Sequence, residues 1–198
     1  MATTIDPRTD LDTLARNSRG TIVTPDQPAY DDARLVYNQD IDRHPAVILM
    51  CRDEADVVAG ITYARERGLD VSIRGGRHNV AGFGANDGGV VLDLRQMNDV
   101  HIDPKSKIAW VGGGATWGDV DHAAWAFGLA TPGGVVSTTG VAGLGLGGGF
   151  GHLTRRFGLV VDNIRSMDVV TAGGRLVRAS ADENADLFWA LRGGGGNF

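Results

Sequence analysis

Residues 71–84 read VSIRGGRHNVAGFG, a short apolar run that feeds a glycine-broken loop with a histidine at its tip. Gly75 and Gly76 let successive backbone N–H groups converge on an anion with no Cβ in the way, and Arg74 and Arg77 add positive charge. His78 carries a ring nitrogen that is nucleophilic when the imidazole is neutral. Such a loop can hold a diphosphate and bring one imidazole onto a cofactor ring. The same residues also make an ordinary turn, so the rest of the chain has to decide between the two readings. Residues 131–159, TPGGVVSTTGVAGLGLGGGFGHLTRRFGL, form a second glycine block. It is too glycine-dense for a strand or a long helix and requires a ligand or closely packed backbone.

Other candidate chemistry is weaker. His44, His101, His122 and His152 lack the mutual spacing of a metal site, although His152 follows the glycine block closely. No metal is expected. Gly143, Gly145 and Gly148 fit G-x-G-x-x-G, but no clear strand precedes them and no acidic residue ends a second strand, so a Rossmann reading is poor. No GK[ST] occurs, and Ser137 lies in no G-x-S-x-G elbow. Asp93, Asp119, Asp121 and Asp168 suit helix caps or strand ends. Trp117 and Trp125 suit a helix face in the core, and the single cysteine, Cys51, suits an inert buried thiol.

Composition narrows the classes. The 198 residues are 42% hydrophobic and 22% charged, with 30 glycines in clusters flanked by Val, Ile, Leu and Trp, which favours a folded chain over low-complexity disorder. A net charge of -5 and the absence of a Lys/Arg run argue against a nucleic-acid partner. No stretch of about 18 apolar residues is present, so no membrane partner is expected and the chain reads as soluble and cytoplasmic.

The elements that hold these residues follow from pattern. AVILMC at 46–51 predicts a strand buried on both faces. Asp53 to Asp56 opens a helix with Val57, Val58, Ile61 and Ala64 as its stripe and Gly68 as its stop. Residues 69–74 form the next strand, which puts the arginine-histidine loop at the carboxyl end of a β-α-β unit, where α/β ligands bind. Strands follow at 89–94, 100–103 and 108–112, and Thr116 to Asp119 reads as a capping box opening a helix to about Phe127. Residues 166–171 and 175–179 predict a hairpin around Ala172, Gly173 and Gly174, and 184–191 a short helix. The β-α-β unit and the strand-rich remainder look like two small lobes.

Four segments together carry a resemblance: RGGRHNVAG at 74–82, GGATWGDVDHA at 113–123, GLATPGGVVSTTGVAGLGLGGGFG at 128–151 and ADENADLFWALRGGGGNF at 181–198. They look like the PCMH-type FAD-binding domain of FAD-linked oxidases related to berberine bridge enzyme, flavoproteins of the vanillyl-alcohol oxidase type. The lead-in PDQPAYDDARLVYNQDIDRHPAVI at 25–48 is also similar, with Tyr37 where a tryptophan is usual. The resemblance implies an α+β fold of two α/β lobes, about 20–84 and 85–198, with extended FAD between them. It places a covalent bond to the flavin 8-methyl group on His78, and cofactor contacts on Arg74, Gly75, Gly76, Arg77, Asn79 and Gly82. Pro132, Gly133, Ser137, Thr138, Gly140, Gly143, Gly147, Gly148 and Gly151 would line the adenosine-diphosphate and ribityl path, with Val169 and Val170 near the adenine.

Two departures matter. Many relatives carry a second anchor, a cysteine in G-x-C-P-x-x-G, and Val136 stands at that place here, so attachment through His78 alone is implied. In the family the substrate domain and catalytic base follow the GGGGNF segment, so no catalytic residue is assigned to this chain. The implied activity is hydride transfer from a small-molecule C–H to flavin N5, with dioxygen as acceptor. Two rival readings stay open: a flavin-binding module without turnover, or a subunit needing a further segment, a partner chain or a second copy of itself.

Overall fold

The computed structural model describes residues 11–197. Its first unit is a four-stranded sheet in the order β1-β2-β4-β3, from β1 (Thr21–Val23), β2 (Val47–Met50), β3 (Val71–Arg74) and β4 (Val90–Asp93). β2, β4 and β3 run parallel and β1 is antiparallel at the edge. The continuous apolar run of β2 is explained by burial on both faces. On one face Val47 and Leu49 meet Leu14 of α1 (Leu11–Asn17) and Val57, Ile61 and Ala64 of α3 (Glu54–Arg67). On the other, Ile48 and Val91 meet Val23 and Tyr30, the latter in α2 (Tyr30–Arg34).

The long helix α3 starts and stops where expected. The Asp53 side chain accepts from the Asp56 N–H, and Gly68 closes the helix in the left-handed region at φ 63°. Asp56 is itself buried and accepts from the Arg19 and Arg52 N–H groups at 2.7 and 2.8 Å, fastening both chain approaches to the first turn. Cys51 lies in the core, where burial pushes its thiol up to about 12.

The sheet continues beyond Gly84. A division after Gly84 would separate β4 from the sheet, yet β4 is inserted between β2 and β3. Its four residues are all buried, because both its neighbours and both its faces are covered. The first unit therefore extends through Asp93.

Beyond it, β5 (Val100–Asp103) and β6 (Ile108–Val111) form a hairpin, and α4 (Trp117–Trp125) opens with the expected capping box of Thr116 and Asp119. The glycine block holds only short helices, α5 (Val141–Leu146) and α6 (Thr154–Phe157), and α7 (Val160–Asn163) follows it. β7 (Ser166–Val170) and β8 (Leu176–Ser180) form the second hairpin, followed by α8 (Ala185–Leu191) and one 3₁₀ turn, Gly195–Asn197. Trp117, Val120 and Val160 make one small core, and Ala179, Phe188 and Leu191 another. Trp117 is buried as expected, but Trp125 is 84% exposed, a correction to its reading as core. Among the described residues no helix is long and apolar enough to cross a membrane, and no group of three or more His, Cys, Asp or Glu could hold a metal ion.

Candidate cofactor site

The loop that carries His78 leaves β3 at Arg74, and parallel register sets Arg74 beside Asp93 of β4. Both are buried. The Arg74 Nε donates to Asp93 at 2.9 Å, its Nη1 to the Arg34 carbonyl at 3.2 Å, and its Nη2 to Asp93 at 2.8 Å and to the Ala33 carbonyl. Arg95 approaches the same carboxylate from the solvent side, with Nε at 2.9 and 3.0 Å and Nη2 at 2.8 Å. Burial pushes the Asp93 carboxyl up, but hydrogen bonds from Arg95 and the charges of Arg74 and Arg95 outweigh this and hold it below the usual carboxylate range. Burial pulls Arg74 down, against the attraction of Asp93. Arg77 is likewise pulled down, by burial and then by the charge of Arg95. Arg74 and Arg95 thus share one carboxylate at the carboxyl end of the parallel strands, and with Arg77 close enough to feel both charges the ground beneath the loop is left net positive.

The Arg74 guanidinium is committed inside the protein. Its side chain does not reach out to an anion, because its donors are consumed inside the protein. It ties β3, β4 and the end of α2 together and fixes where the loop begins.

The part of the loop free to meet an anion is its backbone. The N–H groups of Gly75, Gly76, Arg77, His78 and Asn79 find no acceptor among the described residues. Arg77 sits at φ 64°, a left-handed conformation that bends a row of N–H groups into a concave nest. Its Nη1 donates to the Leu35 carbonyl at 3.1 Å, and its own carbonyl accepts from the Tyr37 N–H at 3.0 Å. Segment 33–37 therefore braces the loop from behind.

Gly76 crosses Gly140 of the second glycine block at backbone contact. A Cβ on Gly76 would lie 2.3 Å from the Gly140 nitrogen and 2.9 Å from the Thr138 carbonyl oxygen, and a Cβ on Gly140 would lie 2.6 Å from the Gly76 nitrogen. Two residues beyond one glycine stands His78, and two residues before the other stands Thr138. The crossing brings the His78 Nε2 to 3.0 Å from the Thr138 hydroxyl. The Tyr37 ring stacks on the imidazole at 4.2 Å between centroids and 18° between planes. Gly76→Ala is expected to prise the two blocks apart, destabilise the fold by about 1–3 kcal/mol and weaken FAD binding by roughly ten-fold or more. A fluorescence titration with FAD checks this, and unchanged affinity would remove the crossing from the site.

The remaining expected residues fall into groups. The Asn79 side-chain oxygen accepts from the Phe83 N–H at 3.0 Å, so it closes a local turn. Gly82 leaves room for Ile41, and Gly133 lies against the Trp117 indole. A Cβ on Gly151 would lie 1.8 Å from the Gly133 carbonyl oxygen, so these two glycines serve backbone packing. Pro132 is buried, whereas Val136, Ser137 and Thr138 are exposed. Gly143 and Gly148 face open space, and at Gly143, on a helix with no neighbour within 4 Å, packing gives no reason for glycine; a ligand lying across α5 would. Val169 packs into the C-terminal core and Val170 against the sheet unit's core. Asp93, Arg95 and Tyr37 were not among the expected site residues. The unusual tyrosine at 37 was the one signal that could have pointed to any of them.

The FAD binding domain family model matches residues 45–180, more than half of the chain and spanning both glycine blocks. The chain belongs to the FAD binding domain family. As an FAD binding domain it is 42% identical over 180 residues to (R)-6-hydroxynicotine oxidase of Paenarthrobacter nicotinovorans, covering 91% of this chain and 39% of that protein. The solved structure of BBE-like 1 from Physcomitrella patens matches with a TM-score of 0.87 at 34% identity, covering 92% of this chain and 40% of that one. Glucooligosaccharide oxidase from Acremonium strictum, with its 6-S-cysteinyl, 8α-N1-histidyl FAD, matches with a TM-score of 0.85 at 35% identity over 95% of this chain and 40% of that one. The expected α+β, PCMH-type fold and the FAD-linked oxidoreductase family are thereby shown. The chain spans about two fifths of the length of these relatives.

Proposed function

We propose that this domain holds FAD through a single covalent bond at His78 and serves an oxidase that takes hydride from a small-molecule substrate. The observation that carries the reading is the arrangement at one loop: an unpartnered row of five N–H groups, net positive charge behind it, and a braced imidazole at its end. The residues fit the cofactor. The N–H row from Gly75 to Asn79 suits a pyrophosphate, and the open space over Gly143 and Gly148 suits an extended ligand. Val136 offers no sulfur, so a cysteinyl second bond has no nucleophile.

Bound FAD supplies a two-electron acceptor for substrate C–H oxidation, which dioxygen can then regenerate. The chain's own residues bind and orient: backbone amides hold the diphosphate, Arg74 and Asp93 set the loop's origin, and His78 prevents cofactor loss. Hydrogen peroxide formation by the protein with aromatic amines, alcohols and oligosaccharides tests the activity. Substrate-dependent peroxide supports an oxidase, whereas only slow, substrate-independent reoxidation would reduce the domain to a flavin-binding module.

A further inference from the structure

We infer that Thr138 and Tyr37 are positioning residues for flavin attachment, holding the His78 imidazole in the tautomer and orientation that present Nδ1 as the nucleophile. The inference rests on the reading of His78 as the attachment point and deepens it. A histidine on a loop tip turns freely about two side-chain bonds, and either ring nitrogen can carry the proton. Here residues from distant parts of the chain bear on both freedoms. Tyr37 lies flat on one face of the ring at 4.2 Å, which fixes its plane. The Thr138 hydroxyl stands 3.0 Å from Nε2 and has no other hydrogen-bond partner among the described residues.

In the tautomer we assign, the Nε2–H donates to that hydroxyl and the lone pair is left on Nδ1, away from Thr138. The backbone crossing of Gly76 and Gly140 keeps the two partners in register. Among the described residues neither partner's side chain makes a further hydrogen bond or ring contact. Tyr37 is 65% exposed, with its ring stacked on His78.

Attachment exchanges one C–H bond of the flavin 8-methyl group for an Nδ1–C bond. The methyl proton and the Nε2 proton leave, and the bonding electron pair enters the flavin ring and passes to dioxygen, giving hydrogen peroxide. The Thr138 hydroxyl lies where the departing Nε2 proton must go, so one contact serves both the tautomer and the proton's exit.

The test uses the flavin-free protein, its Thr138→Val, Thr138→Ser and Tyr37→Ala variants, added FAD, and the rate at which flavin becomes resistant to acid release. Thr138→Val is expected to attach flavin about five-fold more slowly, the worth of one neutral hydrogen bond, with Thr138→Ser restoring the rate. Tyr37→Ala is expected to slow it by roughly two- to ten-fold. Far-UV circular dichroism and the thermal midpoint of the flavin-free variants, matching those of the unaltered protein, certify the fold, and FAD is added to saturation so that the rate reads attachment rather than binding. Attachment by Thr138→Val at the unaltered rate would overturn the inference. ¹⁵N spectra of the flavin-free protein separate this from failure at His78 itself: a bare Nδ1 and a protonated Nε2 support the clamp even if no flavin attaches. A proton on Nδ1 would overturn it even if flavin does.

Discussion

His78→Ala is expected to abolish acid-stable flavin while leaving FAD bound without a covalent link. The imidazole is the single nucleophile at the loop tip, and the residue facing it across the glycine crossing is a threonine whose hydroxyl is a far poorer nucleophile at neutral pH. The proposed diphosphate cradle, by contrast, is made of backbone N–H groups from Gly75 to Asn79, which alanine at 78 retains. The fold should tolerate the change to within about 1 kcal/mol, because the ring is only half-buried and its contacts are one hydrogen bond and one stack. Flavin absorbance after acid precipitation, pellet against supernatant, reads the outcome. All colour should move to the supernatant in the variant, and colour retained in the pellet would place the attachment elsewhere.

Asp93→Ala is expected to have the largest effect on stability, about 3–5 kcal/mol or roughly 6–20 °C in Tm. Asp93 is fully buried and neutralises Arg74, which is itself buried, together with half-buried Arg95. Removing the carboxylate leaves two guanidinium groups around an uncompensated site. Combining Asp93→Leu with Arg74→Met should recover part of the loss, since apolar side chains do not need neutralising. Recovery should stay incomplete because the Ala33 and Arg34 carbonyls lose their donor. The same group sets an acid limit. Its folded value lies below the unfolded one of about 3.9, so its stabilisation is complete above that pH and is lost as the pH falls through the folded value. Thermal melts from pH 6 downward should show a steep fall below pH 4 that Asp93→Ala lacks; equal slopes would contradict the assignment.

The local parts of this structure were legible in the sequence because they depend on neighbours along the chain. Asp53 and Gly68 bound α3, Thr116 and Asp119 cap α4, and Gly173 and Gly174 turn the second hairpin, each through contacts within a few residues. The histidine loop was legible for the same reason. What was not legible depends on pairing across the chain. The place of β4 between β2 and β3 joins strands that are not consecutive, and with it comes the Arg74–Asp93 contact that commits the Arg74 guanidinium inside the protein. The meeting of Gly76 with Gly140, and hence of His78 with Thr138, spans two separate glycine blocks. Periodicity also misplaced Trp125: eight residues along a helix at about 100° each leaves it about 80° from Trp117, turned off the face that packs.

The most direct measurement is a tryptic mass map of acid-precipitated protein reconstituted with FAD. Cleavage after Arg77 and Arg95 isolates the segment from His78 to Arg95, which contains no other histidine or cysteine. The account predicts that this peptide carries the mass of one FAD less two hydrogens, with fragmentation placing the addition on His78. An unmodified peptide from protein that was yellow before precipitation, with all flavin in the supernatant, would contradict covalent attachment.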